Sequence, residues 1–142
     1  MPSAYPLPLG FSHRHALLAL LLFGIELLIG TLLDDGFIRP FVGDVLVVML
    51  IYCLIRTWIR LPAIPLASAV LLFATLVETG QYFHLADRLG VGHIPLARIL
   101  IGSTFDPKDL LAYLAGTLIT CTLSRFFPSG QRGEQTENKE TP

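Results

Sequence analysis

The sequence predicts an all-α fold, an integral membrane four-helix bundle, on three observations. Hydrophobic residues make up 53% of the 142, charged residues only 15%, and the mean hydropathy is +0.64. An ordinary soluble domain carries about 25% charged residues. Four apolar runs approach the ~20 residues that a helix needs to cross a bilayer. Proline, glycine and aspartate punctuate the gaps between them. The length bounds the chain to one domain.

The first run, Ala16 to Leu33, is interrupted only by Glu26. Arg14 precedes it, as in a signal peptide. However, the run exceeds the ~7–15 residues of a signal core and no small-x-small cleavage site follows, so it reads as a retained helix. Asp34, Asp35, Gly36 and Pro40 break it from the second run, Phe41 to Ile59, which carries Asp44 near its start and Arg56 near its end. Pro62 and Pro65 separate the third run, Ile64 to Phe83, with Glu78 near its end. Pro65 suits the first turn of a helix, where its missing N–H is not needed. The fourth run, Leu110 to Phe127, is free of charge until Arg125. Asp106 is its expected N-cap, with Pro107 at the first helical position and Asp109 in the first turn.

These elements divide the chain into an N-terminal segment 1–14, a transmembrane domain 15–127 and a polar tail 128–142 that is expected to be disordered. The connection from His84 to Lys108 is long for a bundle. Its apolar piece Ile94 to Ile101, with Arg98 inside it, suits either a short extra helix on the membrane surface or a plain loop folded over the bundle.

Orientation follows the excess of Lys and Arg on cytoplasmic segments. Arg14, Arg56, Arg60, Arg125, Arg132 and Lys139 fall on one side, against Arg39, Arg88, Arg98 and Lys108 on the other. The loop flanked by Arg56 and Arg60 contains no acid. Both termini are therefore expected in the cytoplasm, with the His84–Lys108 loop outside. The lipid bilayer is the expected partner. A net charge of −1 gives no basic field for nucleic acid. A homo-oligomer stays open. Cys53 and Cys121 lie inside apolar runs and read as packed thiols. His84 and His93 have no metal-ligand spacing, and no cofactor is expected. His13, His15, Tyr52, Trp58 and Tyr82 read as interfacial residues. Ala112, Gly116 and Thr120 form a small-xxx-small stripe suited to close helix contact.

Ionisable residues inside a bilayer cost about 2.5–3.5 kcal/mol each at the helix centre, so each one needs a partner, water or a function. Glu26, Asp44, Glu78 with Gln81 one turn on, and Asp109 with Tyr113 below it all fall toward one face, beside the loop cations Arg39 and Arg98. The candidate binding cluster is therefore Glu26, Arg39, Asp44, Glu78, Gln81, Arg98 and Asp109. In one reading Arg39 and Arg98 pair with these carboxylates and fix the helices. In the other they line a water-accessible cleft, where several carboxylates cannot all ionise cheaply. Asp109 also has a simpler reading as a charge that complements the helix N-terminus.

The run Asp35-Gly36-Phe37-Ile38-Arg39-Pro40 with Gly43-Asp44-Val45-Leu46 resembles a family of small bacterial membrane proteins catalogued as domain of unknown function 2809. So do Glu78-Thr79-Gly80-Gln81-Tyr82-Phe83, Ala97-Arg98, Gly102-Ser103-Thr104-Phe105-Asp106 and Asp109-Leu110-Leu111-Ala112-Tyr113. The resemblance covers about residues 14 to 120. It implies a bacterial cytoplasmic-membrane protein and no particular activity. A more distant likeness is to the VanZ-like family, associated with teicoplanin resistance. Glu78 and Gln81 fit its Glu-x-x-Gln, and Asp109 and Gly116 fit its Asp-x-x-x-Asn-x-x-Gly. Tyr113 replaces the Asn, and Arg98 lies farther from Asp109 than in that family.

Four functions are compatible with this pattern. The first is an envelope protein whose outer polar cleft binds a lipid or cell-wall-related ligand. The second is an enzyme acting on a polar lipid headgroup, with Glu78 or Asp109 as base and Arg39 or Arg98 on an anion. The third is a proton-coupled carrier using Glu26. The fourth is a structural helper subunit.

Overall fold

The computed structural model describes residues 9–34, 36–95, 97 and 105–128. These form helices α1 (His13–Leu32), α2 (Ile38–Trp58), α3 (Ala63–Tyr82), the short α4 (Leu85–Arg88) and α5 (Pro107–Phe126). The long helices begin before the apolar runs do: α1 at His13 rather than Ala16, α2 at Ile38 rather than Phe41, and α5 at Pro107 rather than Leu110. Hydropathy marks only the part suited to hydrocarbon, whereas the backbone ladder continues through interfacial residues. Pro40, expected to precede α2, lies in its first turn, where the missing N–H would have had no intrahelical partner. Asp106 caps α5 as expected: its side chain accepts from the backbone N–H of Lys108 at 3.0 Å, with Pro107 opening the helix.

By length and composition, α1, α2 and α3 are able to cross a membrane. α5 matches α1 at 20 residues but is more polar. Three of its polar groups are satisfied within the helix. The hydroxyls of Thr117, Thr120 and Thr122 each donate to the carbonyl four residues back at 2.8 Å. Hydrocarbon demands such internal satisfaction. Meanwhile α1 buries only His15 and Ala19, and Leu17, Leu20 and Leu32 are each about two-thirds exposed or more. A surface this apolar would drive association in water but is ordinary against lipid. The fold is that of a membrane protein.

The helices run up, down, up and down, joined in the order in which they are made. α2 packs against α1 on one side and α5 on the other; α3 packs against α5 and more lightly against α2. Among the described residues α1 does not pack along α3 or α5, so it is appended to a three-helix unit. The core joins Val48, Leu50 and Cys53 of α2 to Leu66, Ala67 and Val70 of α3, with Tyr113 of α5. Gly116 brings α5 hard against α2: a Cβ there would stand 2.6 Å from the carbonyl oxygen of Val45. Its stripe neighbours Ala112 and Thr120 are also buried, as the small-residue pattern predicts.

Two expected interfacial residues are interior instead. Tyr52 is buried and its hydroxyl meets Ser124 Oγ of α5 at 3.1 Å. His15 is buried and its Nδ1 lies 2.8 Å from Ser12 Oγ. In each case a hydrogen bond satisfies the polar atom, which removes the reason to stay at the surface. Trp58 and Tyr82 are exposed near helix ends, as interfacial anchors require. The backbone ahead of α1 is tied to the end of α2, with Gly10 N–H donating to Trp58 at 3.1 Å and Ser12 N–H to Thr57 at 2.9 Å. Cys53 and Cys121 are thiols, not a disulfide.

The connection between α3 and α5 turns at His84, whose φ of 52° is left-handed. Its N–H donates to Gln81 O at 2.9 Å, and its carbonyl accepts from Asp87 and Arg88, so α4 starts directly behind α3. Histidine tolerates this region better than β-branched residues do. His84→Val is therefore expected to destabilise the protein by about 1–2 kcal/mol, and His84→Gly to leave it within about 1 kcal/mol of wild type, in detergent unfolding titrations. Of the stretch 94–101, Pro95 and Ala97 are helical, and residues 96 and 98–101 lie outside the described residues, as does the tail from 129 onward.

Candidate functional site

The polar residues sort to the two ends of the helices. Asp44 of α2, Glu78 of α3 and Asp109 of α5 stand at one end with Asp106 and Lys108. Arg14, Arg56, Arg60 and Arg125 stand at the other.

Glu78 is the centre of the acidic end. It is 1% exposed and among the largest fully buried side chains. Its Oε1 accepts from the backbone N–H of Asp106 at 3.0 Å, so α3 holds the start of α5. That position suits a carboxylate, because unpaired N–H groups and the helix dipole favour negative charge at a helix N-terminus. Its Oε2 is also buried and has no hydrogen-bond partner among the described residues, although the Tyr113 hydroxyl stands nearby. A buried polar atom without a partner is uncommon enough to need a reason.

Asp44 approaches from α2. Because α2 starts early, Asp44 lies nearly two turns into the helix, deeper than the apolar run implied. The close crossing at Gly116 and Val45, the residue beside it, brings its carboxyl within hydrogen-bonding reach of Asp109. Two carboxylates this close repel unless a proton or a cation stands between them. Tyr113 lies one turn beyond Asp109 on the same face and is buried beside Asp44 and Glu78. Asp106 lies half-exposed at the rim, with Lys108 Nζ 4.0 Å from its Oδ2. Lys108 itself is mostly exposed and also lies over the Phe37 ring, 5.2 Å from its centroid.

Of the seven residues expected from sequence, Asp44, Glu78 and Asp109 converge. Gln81 follows Glu78 by one turn and is half-buried, without a side-chain hydrogen bond to the cluster among the described residues. Glu26 lies apart in α1, with a buried Oε1 that has no hydrogen-bond partner among the described residues. Arg39 is exposed, its guanidinium against Gly30 of α1. Among the described residues no ion pair joins Arg39 to Glu26, Asp44, Glu78 or Asp109, which corrects that part of the expected network. The reason is helical phase: Arg39 and Asp44 are five residues apart, about 140° around α2. One therefore faces α1 and the other α5. Arg98 lies outside the described residues. Tyr113 and Asp106 join the cluster without having been placed in it from sequence. The four-residue spacing from Asp109 to Tyr113 was the available signal for the first. The hydrogen bond that brings in the second depends on tertiary contact. Among the described residues no group of His, Cys, Asp and Glu is placed to hold a metal ion.

The arrangement suits two kinds of chemistry: reception of a cationic group by the carboxyl surplus, and sharing of a proton between Asp44 and Asp109. Together fold and site define a multi-helix membrane protein with an acidic cluster, centred on the buried Glu78, at one end of its helices. The chain belongs to the family described as protein of unknown function (DUF2809), whose model matches residues 33–117. The match spans α2, α3 and the first half of α5, and so includes the whole cluster, while Glu26 lies outside it. No curated protein and no solved structure matches the chain.

Proposed function

We propose that the protein is a ligand-binding component of the bacterial cytoplasmic membrane, oriented with both termini in the cytoplasm. Its acidic end receives a primary ammonium group carried by a lipid or a lipid-linked cell-wall precursor. The supporting observation is the convergence of Asp44, Glu78 and Asp109 from three helices, with Lys108 as the neighbouring cation on the rim. This surplus of negative charge is matched by a ligand that brings positive charge. The buried Glu78 Oε2, without a hydrogen-bond partner among the described residues, and the Tyr113 hydroxyl add an acceptor and a donor for an ammonium head and an adjacent oxygen. The distant VanZ-like pattern of Glu78, Gln81 and Asp109 supports an envelope-related ligand.

Protein in phosphatidylcholine nanodiscs, titrated with phosphatidylethanolamine or with a soluble lysine-bearing stem peptide, tests the reading. Saturable binding of either probe, at least about tenfold weaker in Asp44→Asn/Asp109→Asn, is expected for paired charges out of water. The lipid arm identifies a headgroup and the peptide arm a wall precursor. Failure of both probes to bind wild type, or equal binding by the variant, overturns the reading.

A further inference from the structure

The opposite end of the molecule carries a separate feature. Because, among the described residues, α1 and α5 both pack on α2 but not along each other, a groove runs between them over one face of α2. It encloses about 410 Å³. That lies within the ~300–1,000 Å³ typical of small-molecule sites. Leu18 and Leu22 of α1 form one wall, Leu123 of α5 the other, and Met49 lies in the floor. The residues that line it run from His15 to Leu22 on α1, a depth of about 10 Å along the helix. Tyr52 and Ser124, joined at 3.1 Å, cross the floor and keep α5 at a fixed distance.

The mouth of this groove is cationic. Arg14 lies in its lining with its guanidinium 5.3 Å from the centroid of the Phe127 ring, so one side chain from each wall meets at the opening. Arg60 and Arg125 are exposed at the same end, and no Asp or Glu lies there among the described residues. An apolar slot along the membrane normal, opening under cations at the interface, has the shape and charge of one class of ligand. Acyl chains fill the slot, and an anionic headgroup meets Arg14. Basic pockets between helices on the cytoplasmic side bind anionic lipid headgroups in just this manner.

We infer that the groove between α1 and α5 is a binding site for an anionic phospholipid, with its acyl chain along Leu18, Leu22 and Met49 and its phosphate at Arg14. The inference is independent of the acidic end, and Arg14 lies outside the residues matched by the family model. A second copy of the chain inserting a helix is the competing occupant, and the charge at the mouth decides against it. A helix does not need Arg14 at the opening with Arg60 and Arg125 at the same end, and an anionic headgroup is matched by that charge.

Native mass spectrometry of the full chain, released from vesicles of equal parts phosphatidylglycerol and phosphatidylcholine, tests it. Wild type is expected to retain phosphatidylglycerol preferentially. Arg14→Ala is expected to lower that preference roughly fivefold, the loss of one cation beside an anionic headgroup. Met49→Trp, which fills the floor, is expected to abolish retention of either lipid while the protein stays folded by circular dichroism. Arg39→Ala, at the other end, is expected to match wild type. Equal retention of the two lipids by wild type, or an unchanged preference in Arg14→Ala, overturns the inference. So does a dimer that is lost in Met49→Trp. Should Met49→Trp misfold, Leu18→Trp on the lipid-facing wall serves the same purpose.

Discussion

Replacing Gly116 by alanine is expected to lower stability by about 1–3 kcal/mol, the range for overpacking a tight contact. The new methyl would stand 2.6 Å from Val45 O and 3.3 Å from Val45 Cα and C, all backbone. A flexible side chain could turn away, but two helix backbones separate only as bodies. The change therefore acts on the cluster as well as on stability. Val45 adjoins Asp44, and Gly116 lies two turns below Asp109, so pushing α5 from α2 moves Asp44 and Asp109 apart. Thermal unfolding in detergent reports the loss. Cross-linking yield between cysteines placed at 44 and 109 reports the separation and is expected to fall. Gly24 is the control: nothing lies within 4 Å of a Cβ there. Gly24→Ala is expected to be neutral or slightly stabilising, because alanine favours the helix by up to about 1 kcal/mol. Equal losses from the two substitutions would show that helix propensity, not the α2–α5 crossing, governs both.

Glu78→Ala is expected to cost about 2–4 kcal/mol, combining the loss of a charge-assisted hydrogen bond with the space left by a fully buried side chain. Its effect should be concentrated at the start of α5, since Glu78 is what holds the Asp106 N–H from α3. Hydrogen exchange of the α5 first turn is the direct readout. Glu78→Gln separates the two roles of this residue. A glutamine oxygen still accepts from Asp106, so most of the stability is expected to return. The charge is gone, so affinity for an ammonium probe is expected to fall even though the helix junction survives. If Glu78→Gln keeps both stability and probe binding, Glu78 is a structural tie, and the proposed site must rest on Asp44 and Asp109.

The helices themselves were legible from the chain. Apolar runs of spanning length, punctuated by proline and aspartate, have few solutions, because hydrocarbon leaves helix or closed barrel as the backbone's only options. Local signals were legible for the same reason. The Asp106–Pro107 start and the Ala112–Gly116–Thr120 stripe depend on residues a turn or two apart, and both are present in the structure. So is the placement of Glu78 and Gln81 one turn apart on α3.

Partnership between helices was not legible. Arg39 and Asp44 are close in the chain, yet helical phase sends one to α1 and the other to α5. Glu78 and Asp106 are 28 residues apart and meet because α3 and α5 pack side by side. Tyr52 resembles an interfacial tyrosine until Ser124 comes to it from α5. The acidic residues were therefore determined by the sequence alone to lie toward one end, through their positions along spanning helices. Which of them converge was decided by rotation of each helix about its own axis and by the close crossing at Gly116. Apolar composition leaves that rotation open in a bilayer, where lipid is as acceptable a neighbour as another helix. The packing of small residues and buried hydrogen bonds chooses it.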